Sequence, residues 1–378
     1  MAEAAAVTVG AFRRPRIKPE HRAYRTADGN VRTGSVVHGI GAEIADPQGW
    51  VWTLTEAMDG TRGPSEVVDE VLRAHPGLPG EDARQAMADL LAAGFVDDAR
   101  APVPVPPREE DRYSRGVPLL RWMDLTPRTG PWETQLRLRE ARVLLIGVGG
   151  TGGYAAQALV ASGVGHLHCV DPDVVELSNL NRQPLYREPD IGRPKVAAAV
   201  ATLRALNSDV TVTGERREVR GPDDLTELLS GSSYDLLVLA ADRPDAVRRW
   251  ANRACLAAGL PWVDAGYRGP LVTAGVYLPG RGACWECLRD GEIARRDLRL
   301  GPDQDPEVAS PRMPWNPASA VTAGLSGALL AHAALALLTG VPAMEPGFRF
   351  GVNLMLPGDP VHQRTPRRPD CPACGEGA

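Results

Sequence analysis

The chain has 378 residues, enough for two domains at roughly 100–200 residues each. Apolar residues make up 43% and charged residues 24%, an ordinary globular balance, and the formal net charge of -5 gives no overall pull toward nucleic acid or anionic lipid. The start, Met1-Ala2-Glu3-Ala4, lacks the basic-then-apolar order of a secretory signal, and the six cysteines include two Cys-x-x-Cys pairs, which favour metal over disulfides. The expectation is a cytoplasmic protein with neither a nucleic-acid nor a membrane partner.

Taken in chain order, residues 1–100 form a small module. Ala27-Asp28-Gly29-Asn30 separates two short runs, His21 to Thr26 and Val31 to Ser35, as a hairpin turn does, and an extended stretch covers Val36 to Ile44. Trp50, Val51, Leu54 and Met58 then recur at helical spacing, as do Val67, Val68, Val71 and Leu72 after Pro64. A third helix over residues 81–93 carries Met87, Leu90 and Leu91 and stops at Gly94. A hairpin with three short helices predicts a winged-helix-like α+β domain. The proline-dense run from Ala101 to Pro107 opens a connector over 101–110.

Beyond the connector, residues 111–378 alternate strand and helix patterns, which predicts a Rossmann-like α/β domain with a mostly parallel sheet. Strands are expected at 142–146, 166–170, 210–214, 234–240 and 262–265, with helices at 153–162, 192–206 and 243–258. The apolar run from Ala318 to Thr339 is broken by Ser319, Thr322, Ser326 and His332, and reads as a buried helix with His332 in the core.

The first of these strands runs into Gly147-Val148-Gly149-Gly150-Thr151-Gly152-Gly153, a G-x-G-x-x-G turn at the head of a helix. Glycines there let backbone approach a phosphate or ribose, and the helix start favours anions. Asp171 ends the next strand about 19 residues beyond Gly152, where an acid can hold ribose hydroxyls. So far a nicotinamide dehydrogenase, or simply a tight turn, fits equally well.

The following residues decide between them. Asp171-Pro172-Asp173 leads through Ser178-Asn179-Leu180-Asn181-Arg182-Gln183 to Lys195, and Ala240-Ala241-Asp242 closes a later strand. This combination resembles the ThiF/MoeB-type adenylyltransferases, relatives of the ubiquitin-activating enzymes, over about residues 110–378. The resemblance implies ATP and Mg²⁺ at Gly147, Gly149, Gly150, Gly152, Asp171, Asp173, Asn179, Arg182, Lys195 and Asp242. Arg182 and Lys195 would meet the triphosphate, Asp242 would hold Mg²⁺, Asp171 the ribose and Asn179 the phosphate region. Arg112-Tyr113-Ser114-Arg115 is similar to a segment of the same family in which the second arginine reaches the partner subunit's nucleotide. That implies a homodimer with Arg115 acting catalytically alongside Arg182, Lys195 and Asp242. The family usually follows this arginine with glutamine; here the residue is Gly116.

Cys284-Trp285-Glu286-Cys287 and Cys371-Pro372-Ala373-Cys374 are knuckles that together complete a tetrahedral Cys₄ site, and redox pairs share that spacing. The family resemblance selects structural Zn²⁺. Many relatives pass the acyl group to their own cysteine, but Leu288 to Ala318 contains none, and Cys169 and Cys255 read as core. The segment from Arg295 to Pro317 is expected to be a mobile loop across the substrate channel.

The front module resembles the leader-peptide recognition (PqqD-like) domain of enzymes that modify ribosomally made peptides. Together these features imply ATP-dependent adenylation of a precursor peptide's C-terminal carboxylate, without an enzyme-bound thioester, as in the microcin-type adenylyltransferases. A downstream modifying enzyme is a possible partner. Two alternatives stand: a non-catalytic partner that delivers leader-bound peptide to a separate cyclodehydratase, and an activator of a ubiquitin-like sulfur carrier. Activation of an Asp or Glu side chain also fits.

Overall fold

A computed structural model describes residues 12–295, 299–301, 304, 313, 316–356 and 358–375. Most of the expected channel loop, 295–317, lies outside them. The chain divides into two compact units, Met1–Leu136 and Arg137–Ala378.

In the first unit β1 (Pro15–Ile17) precedes β2 (Tyr24–Arg25), β3 (Val31–Thr33) and β4 (Ala42–Ile44). Helices α1 (Trp50–Ala57), α2 (Pro64–Ala74) and α3 (Gly80–Ala92) follow, then β5 (Val96–Asp98), α4 (Pro107–Tyr113) and α5 (Gly116–Met123). β2, β3 and β4 form an antiparallel sheet in that order, and β1 pairs with β5. The helices meet through Leu54, Met58, Val67, Val71, Met87 and Leu90, which share one core with Phe12, Phe95 and Val96. Gly94 ends α3 with φ +75°, and a side chain there would overlap the backbone of Leu125.

Two expectations shrink. His21 sits in a 3₁₀ turn, Pro19–His21, which leaves only Tyr24–Arg25 as the first hairpin strand. Of the stretch 36–44 only Ala42–Ile44 is strand, because Gly34 and Gly39 at φ +89° and +87° turn the chain before it.

The boundary between the units falls inside α6 (Glu133–Glu140). The second unit then runs β6 (Arg142–Ile146), α7 (Gly150–Ala161), β7 (His166–Val170), α8 (Lys195–Leu206), β8 (Thr211–Glu215), α9 (Pro222–Ser230), β9 (Leu236–Leu239), α10 (Val247–Ala258), β10 (Trp262–Arg268) and β11 (Leu271–Tyr277). It finishes with α11 (Trp285–Arg295), α12 (Ala320–Thr339), β12 (Phe348–Asn353) and β13 (Pro360–Arg364). One eight-stranded sheet has the order β13-β12-β11-β10-β9-β6-β7-β8.

From β8 to β10 the neighbours are parallel, and β10 to β13 are antiparallel. The apolar runs Val143–Ile146 and Leu236–Leu239 are buried because helices cover both faces of a parallel sheet. Leu144, Leu237 and Trp262 share a cluster with Leu225 of α9 and Val247 of α10, whereas α12 packs on α7.

α12 is long and apolar enough to cross a membrane by length and composition, with half of that apolar window buried inside the unit. It is closely seated. A side chain at Gly327 would come within 2.6 Å of Thr151 O, and Thr151 Oγ1 lies 2.5 Å from Ser326 Oγ. Ser319 caps its start and Gly340, at φ +76°, ends it. His332 corrects the core expectation: it is exposed, with its ring edge-on to Phe350 at a centroid distance of 6.3 Å.

Candidate active site

The strand order reverses at β6. The chain moves outward from β6 to β7 and β8, then returns to place β9 on the other side of β6. Such a switch point opens a crevice at the carboxyl ends of the strands. Here it is a cavity of about 1460 Å³, lined by the turns after β6, β7, β8 and β9 and by the far end of β10.

The glycine turn forms its floor. Gly147 has φ +92°, and a side chain there would approach Ala240 C and Ala241 N to 2.9 Å, so the ends of β6 and β9 run in close contact. Gly149 and Gly150 line the cavity, with Gly150 heading α7. Gly152 is buried inside α7 and is not among the lining residues; a side chain would overlap Gly147 O and sit 3.1 Å from Ala240 Cβ. Its part is close helix–strand packing. Gly152→Ala is therefore expected to cost about 2–4 kcal/mol, because backbone rather than a flexible side chain must yield. An unchanged urea midpoint would contradict this packing.

Asp171 follows β7 and is 6% exposed. Its Oδ2 accepts from Val148 N at 2.8 Å and its Oδ1 from Asp173 N at 3.0 Å, so it ties the glycine turn to its own loop. Burial pushes its carboxyl above the usual range, opposed by the nearby Lys195 ammonium and by both N–H donors. Lys195 heads α8, and its Nζ lies 2.8 Å from Asp173 Oδ2. A short bridge between Val174 and Pro194 closes the loop that brings these two together. Asn179 is buried and caps a 3₁₀ turn by accepting from Glu176 N at 3.0 Å, and its amide nitrogen has no hydrogen bond among the described residues. One turn on, Arg182 Nη1 donates to Ser178 O at 2.8 Å and to Asn181 Oδ1 at 3.0 Å.

Asp242 lies just past β9, exposed to the cavity and without an ion pair among the described residues. Gly147, Gly149, Gly150, Asp171, Asp173, Asn179, Arg182, Lys195 and Asp242 thus line one cavity. Arg115 belongs to the first unit, where it is exposed at the head of α5.

A nucleotide suits this donor set. Gln183 Oε1 is buried without a partner among the described residues, and Gln183 Nε2 lies 3.7 Å from where a Gly149 side chain would begin. A ligand donor there would satisfy an acceptor that otherwise stays unpaired at a cost of about 1–3 kcal/mol.

The four knuckle cysteines converge. Cys284 Sγ is 3.9 Å from Cys287 Sγ and 3.7 Å from Cys371 Sγ, and Cys287 Sγ is 3.6 Å from Cys374 Sγ. All four sulfurs lie within 4.8 Å of one another. A tetrahedron with Zn–S bonds of about 2.3 Å has S···S edges of about 3.8 Å, so the sulfurs already stand at zinc spacing.

Residues 122–373, two-thirds of the chain, match the ThiF family. The chain belongs to that family of ATP-dependent adenylyltransferases. It is 34% identical to the SAMP-activating enzyme E1 of Haloferax volcanii, over 71% of this chain and 89% of that protein. It is 35% identical to the adenylyltransferase and sulfurtransferase MOCS3 of Bos taurus, over 78% of this chain; the match spans only 61% of the bovine protein's length. Among solved structures, E. coli MccB with ATP shares the fold at a TM-score of 0.69 and 22% identity, covering 96% of this chain and 99% of that one. Another structure holds the same microcin C7 biosynthetic enzyme in complex with N-formylated MccA.

The ThiF-family cavity also contains residues to which the sequence assigned no role. Tyr267, at the end of β10, has its phenol pushed up by burial, with Arg182 pulling the other way. Its place at a strand's carboxyl end was the available signal, since ligands gather there. Arg248, Asp264 and Arg349 line the cavity too, and nothing local in the sequence marks them.

Proposed function

We propose that this chain adenylates the C-terminal carboxylate of a precursor peptide, in the maturation of a ribosomally synthesised peptide natural product, without an enzyme-bound thioester. The observation that carries this reading is the gathering of Asp171, Asn179, Arg182, Lys195 and Asp242 on one switch-point cavity with room beyond the nucleotide. A carboxylate oxygen attacks the α-phosphorus of ATP, a new P–O bond forms, and pyrophosphate leaves. Asp171 is placed to hold ribose hydroxyls, and the Asn179 amide to steady the phosphates. Arg182 and Lys195 offset the charge that grows as pyrophosphate departs. Lys195 rests on Asp173, so it must exchange that carboxylate for a phosphate oxygen. Asp242 would hold Mg²⁺, which when bound draws charge from the phosphate oxygens. The Cys₄ cluster would hold Zn²⁺ in a structural role, because four thiolates leave no open position.

The cysteines support transfer without a thioester. Cys169 and Cys255 are fully buried, burial pushes the Cys169 thiol up to about 12 and raises that of Cys255, and the other four are gathered in the cluster. The first unit would capture the leader as an added strand, and both β2 and β4 are outer strands of its sheet. Likeness to MccB over 96% of the chain, well beyond the ThiF match, supports that assignment. Arg115 would reach the partner subunit's phosphates in a homodimer, and a downstream modifying enzyme would take the product.

The carrier reading draws on a different observation: of the curated relatives above, one is named an adenylyltransferase and sulfurtransferase and the other a SAMP-activating enzyme E1, and their identity to this chain is higher than that of MccB. ATP–pyrophosphate exchange separates the two. Exchange that needs a candidate precursor peptide supports the first; exchange with a small carrier ending in Gly-Gly, and with no peptide, replaces it with the second. Silence with both would leave only the non-catalytic delivery role.

A further inference from the structure

The cavity runs past the nucleotide turn along β10, β11 and β12. At that end three strands share a rung: Asp264 of β10 pairs with Gly275 of β11, and Gly275 with Arg349 of β12. A side chain at 275 would collide with the Tyr277 hydroxyl and come within 2.6 Å of Asp264 Oδ1. The bare glycine is what lets Arg349 reach across the middle strand. Its Nη2 lies 3.3 Å from both oxygens of Asp264 and donates to Tyr277 Oη at 2.9 Å. Tyr277 in turn donates to Asp264 Oδ1 at 3.0 Å, and Arg248 Nε of α10 donates to Oδ2 at 2.9 Å.

The charges do not balance. Asp264 is 1% exposed and serves two guanidinium groups, which leaves one positive charge in excess. Arg289 and Glu292 of α11 border the same cavity 4.0 Å apart, and Glu292 also acts on the Arg349 guanidinium. One arginine would satisfy Asp264, and these five groups together set three guanidiniums against two carboxylates, so the set can take a further anion. Both arginine side chains retain some exposure, 23% for Arg248 and 21% for Arg349. A carboxylate arriving from the cavity would neutralise the set through charge-assisted hydrogen bonds.

We propose that Arg349, fixed on Asp264 by the β10–β12 register, and Arg248, held on the same carboxylate from α10, seat a carboxylate of the acceptor peptide. This inference rests on the reading of the cavity as an adenylation site. Arg248 and Arg349 are then acceptor-binding residues; Asp264, Gly275 and Tyr277 position them. The carboxylate belongs either to the peptide's terminus or to an acidic side chain near it, and the test separates these sources.

The test uses the full chain without nucleotide, titrated by NMR with N-acetyl-L-glutamate, with N-acetyl-L-glutamine (α-carboxylate only) and with N-acetyl-L-isoglutamine (side-chain carboxylate only). The wild type is expected to bind the diacid, and Arg349→Gln and Arg248→Gln each to weaken it by about tenfold. Whichever monoamide keeps the arginine-dependent binding identifies the source. ATP affinity, measured alongside by calorimetry, is expected to stay unchanged in both variants, which shows them folded. Binding of the diacid that is equal in wild type and both variants overturns the seat, as does an ATP-binding wild type that takes none of the probes. A wild type that fails to bind ATP sinks the adenylation reading instead.

Discussion

An Asp242→Ala variant is expected to lose ATP–pyrophosphate exchange by about 10³-fold or more, because on the proposed mechanism it removes the carboxylate that would hold the metal offsetting charge on the reacting phosphates. The effect should be large relative to any loss of stability. Asp242 is exposed, carries no ion pair among the described residues and lies beyond the end of β9, so the fold does not depend on its carboxylate. Its neighbours make the contrast sharp. Asp171 is buried and braces the glycine turn through two backbone bonds, so Asp171→Ala should lower both activity and stability. The comparison is therefore exchange activity against thermal midpoint for the two variants. If Asp242→Ala retained exchange within a few-fold of wild type, the metal would be held elsewhere and the mechanism would need another carboxylate.

Removal of the metal expected at the cysteine cluster should have the largest effect on stability. Cys284 and Cys287 lie at the head of α11, while Cys371 and Cys374 come from the tail beyond β13, so a shared ion would pin the chain's end onto the α10 side of the sheet. The sulfurs pack in the same cluster as Trp262 and Leu225, so losing the ion would loosen a core as well as a tail. Structural zinc supplies folding free energy directly, and a loss of several kcal/mol corresponds to a fall of roughly 10 °C or more in a unit of this size. Purified protein is expected to hold about one zinc per chain, and Cys371→Ser to lose both the metal and that thermal stability. A metal-free wild type melting at the same temperature before and after chelation would show that the four thiols stand together without an ion.

The centre of the parallel half of the sheet was legible because β6 and β9 are short apolar runs, each followed by a turn and a helix. Val143–Ile146 and Leu236–Leu239 illustrate the pattern. β11 to β13 were not read. They are antiparallel, and they draw their identity from one another: Phe348–Asn353 carries Arg349 and Asn353 among its apolar residues, and Pro360–Arg364 is mostly exposed. In the first unit the pairing of β1 with β5 escaped notice for a similar reason, since Val96-Asp97-Asp98 looks like a polar loop until Arg16 reaches Asp97 and the backbone of Arg13 and Arg14 reaches Asp98. His332 was misplaced because an apolar helix does not say which of its faces meets the core.

What the sequence determined by itself was chemistry that sits within short segments. The glycine turn, the run from Asp171 to Lys195 and the two cysteine knuckles carry their ligand types at fixed local spacing, so they could be named without knowing the fold. Tertiary structure alone decided what depends on distant register. The meeting of Asp264, Gly275 and Arg349 on one rung is of this kind, because charge neutrality and a missing side chain become visible only when strands separated by 85 residues are laid side by side.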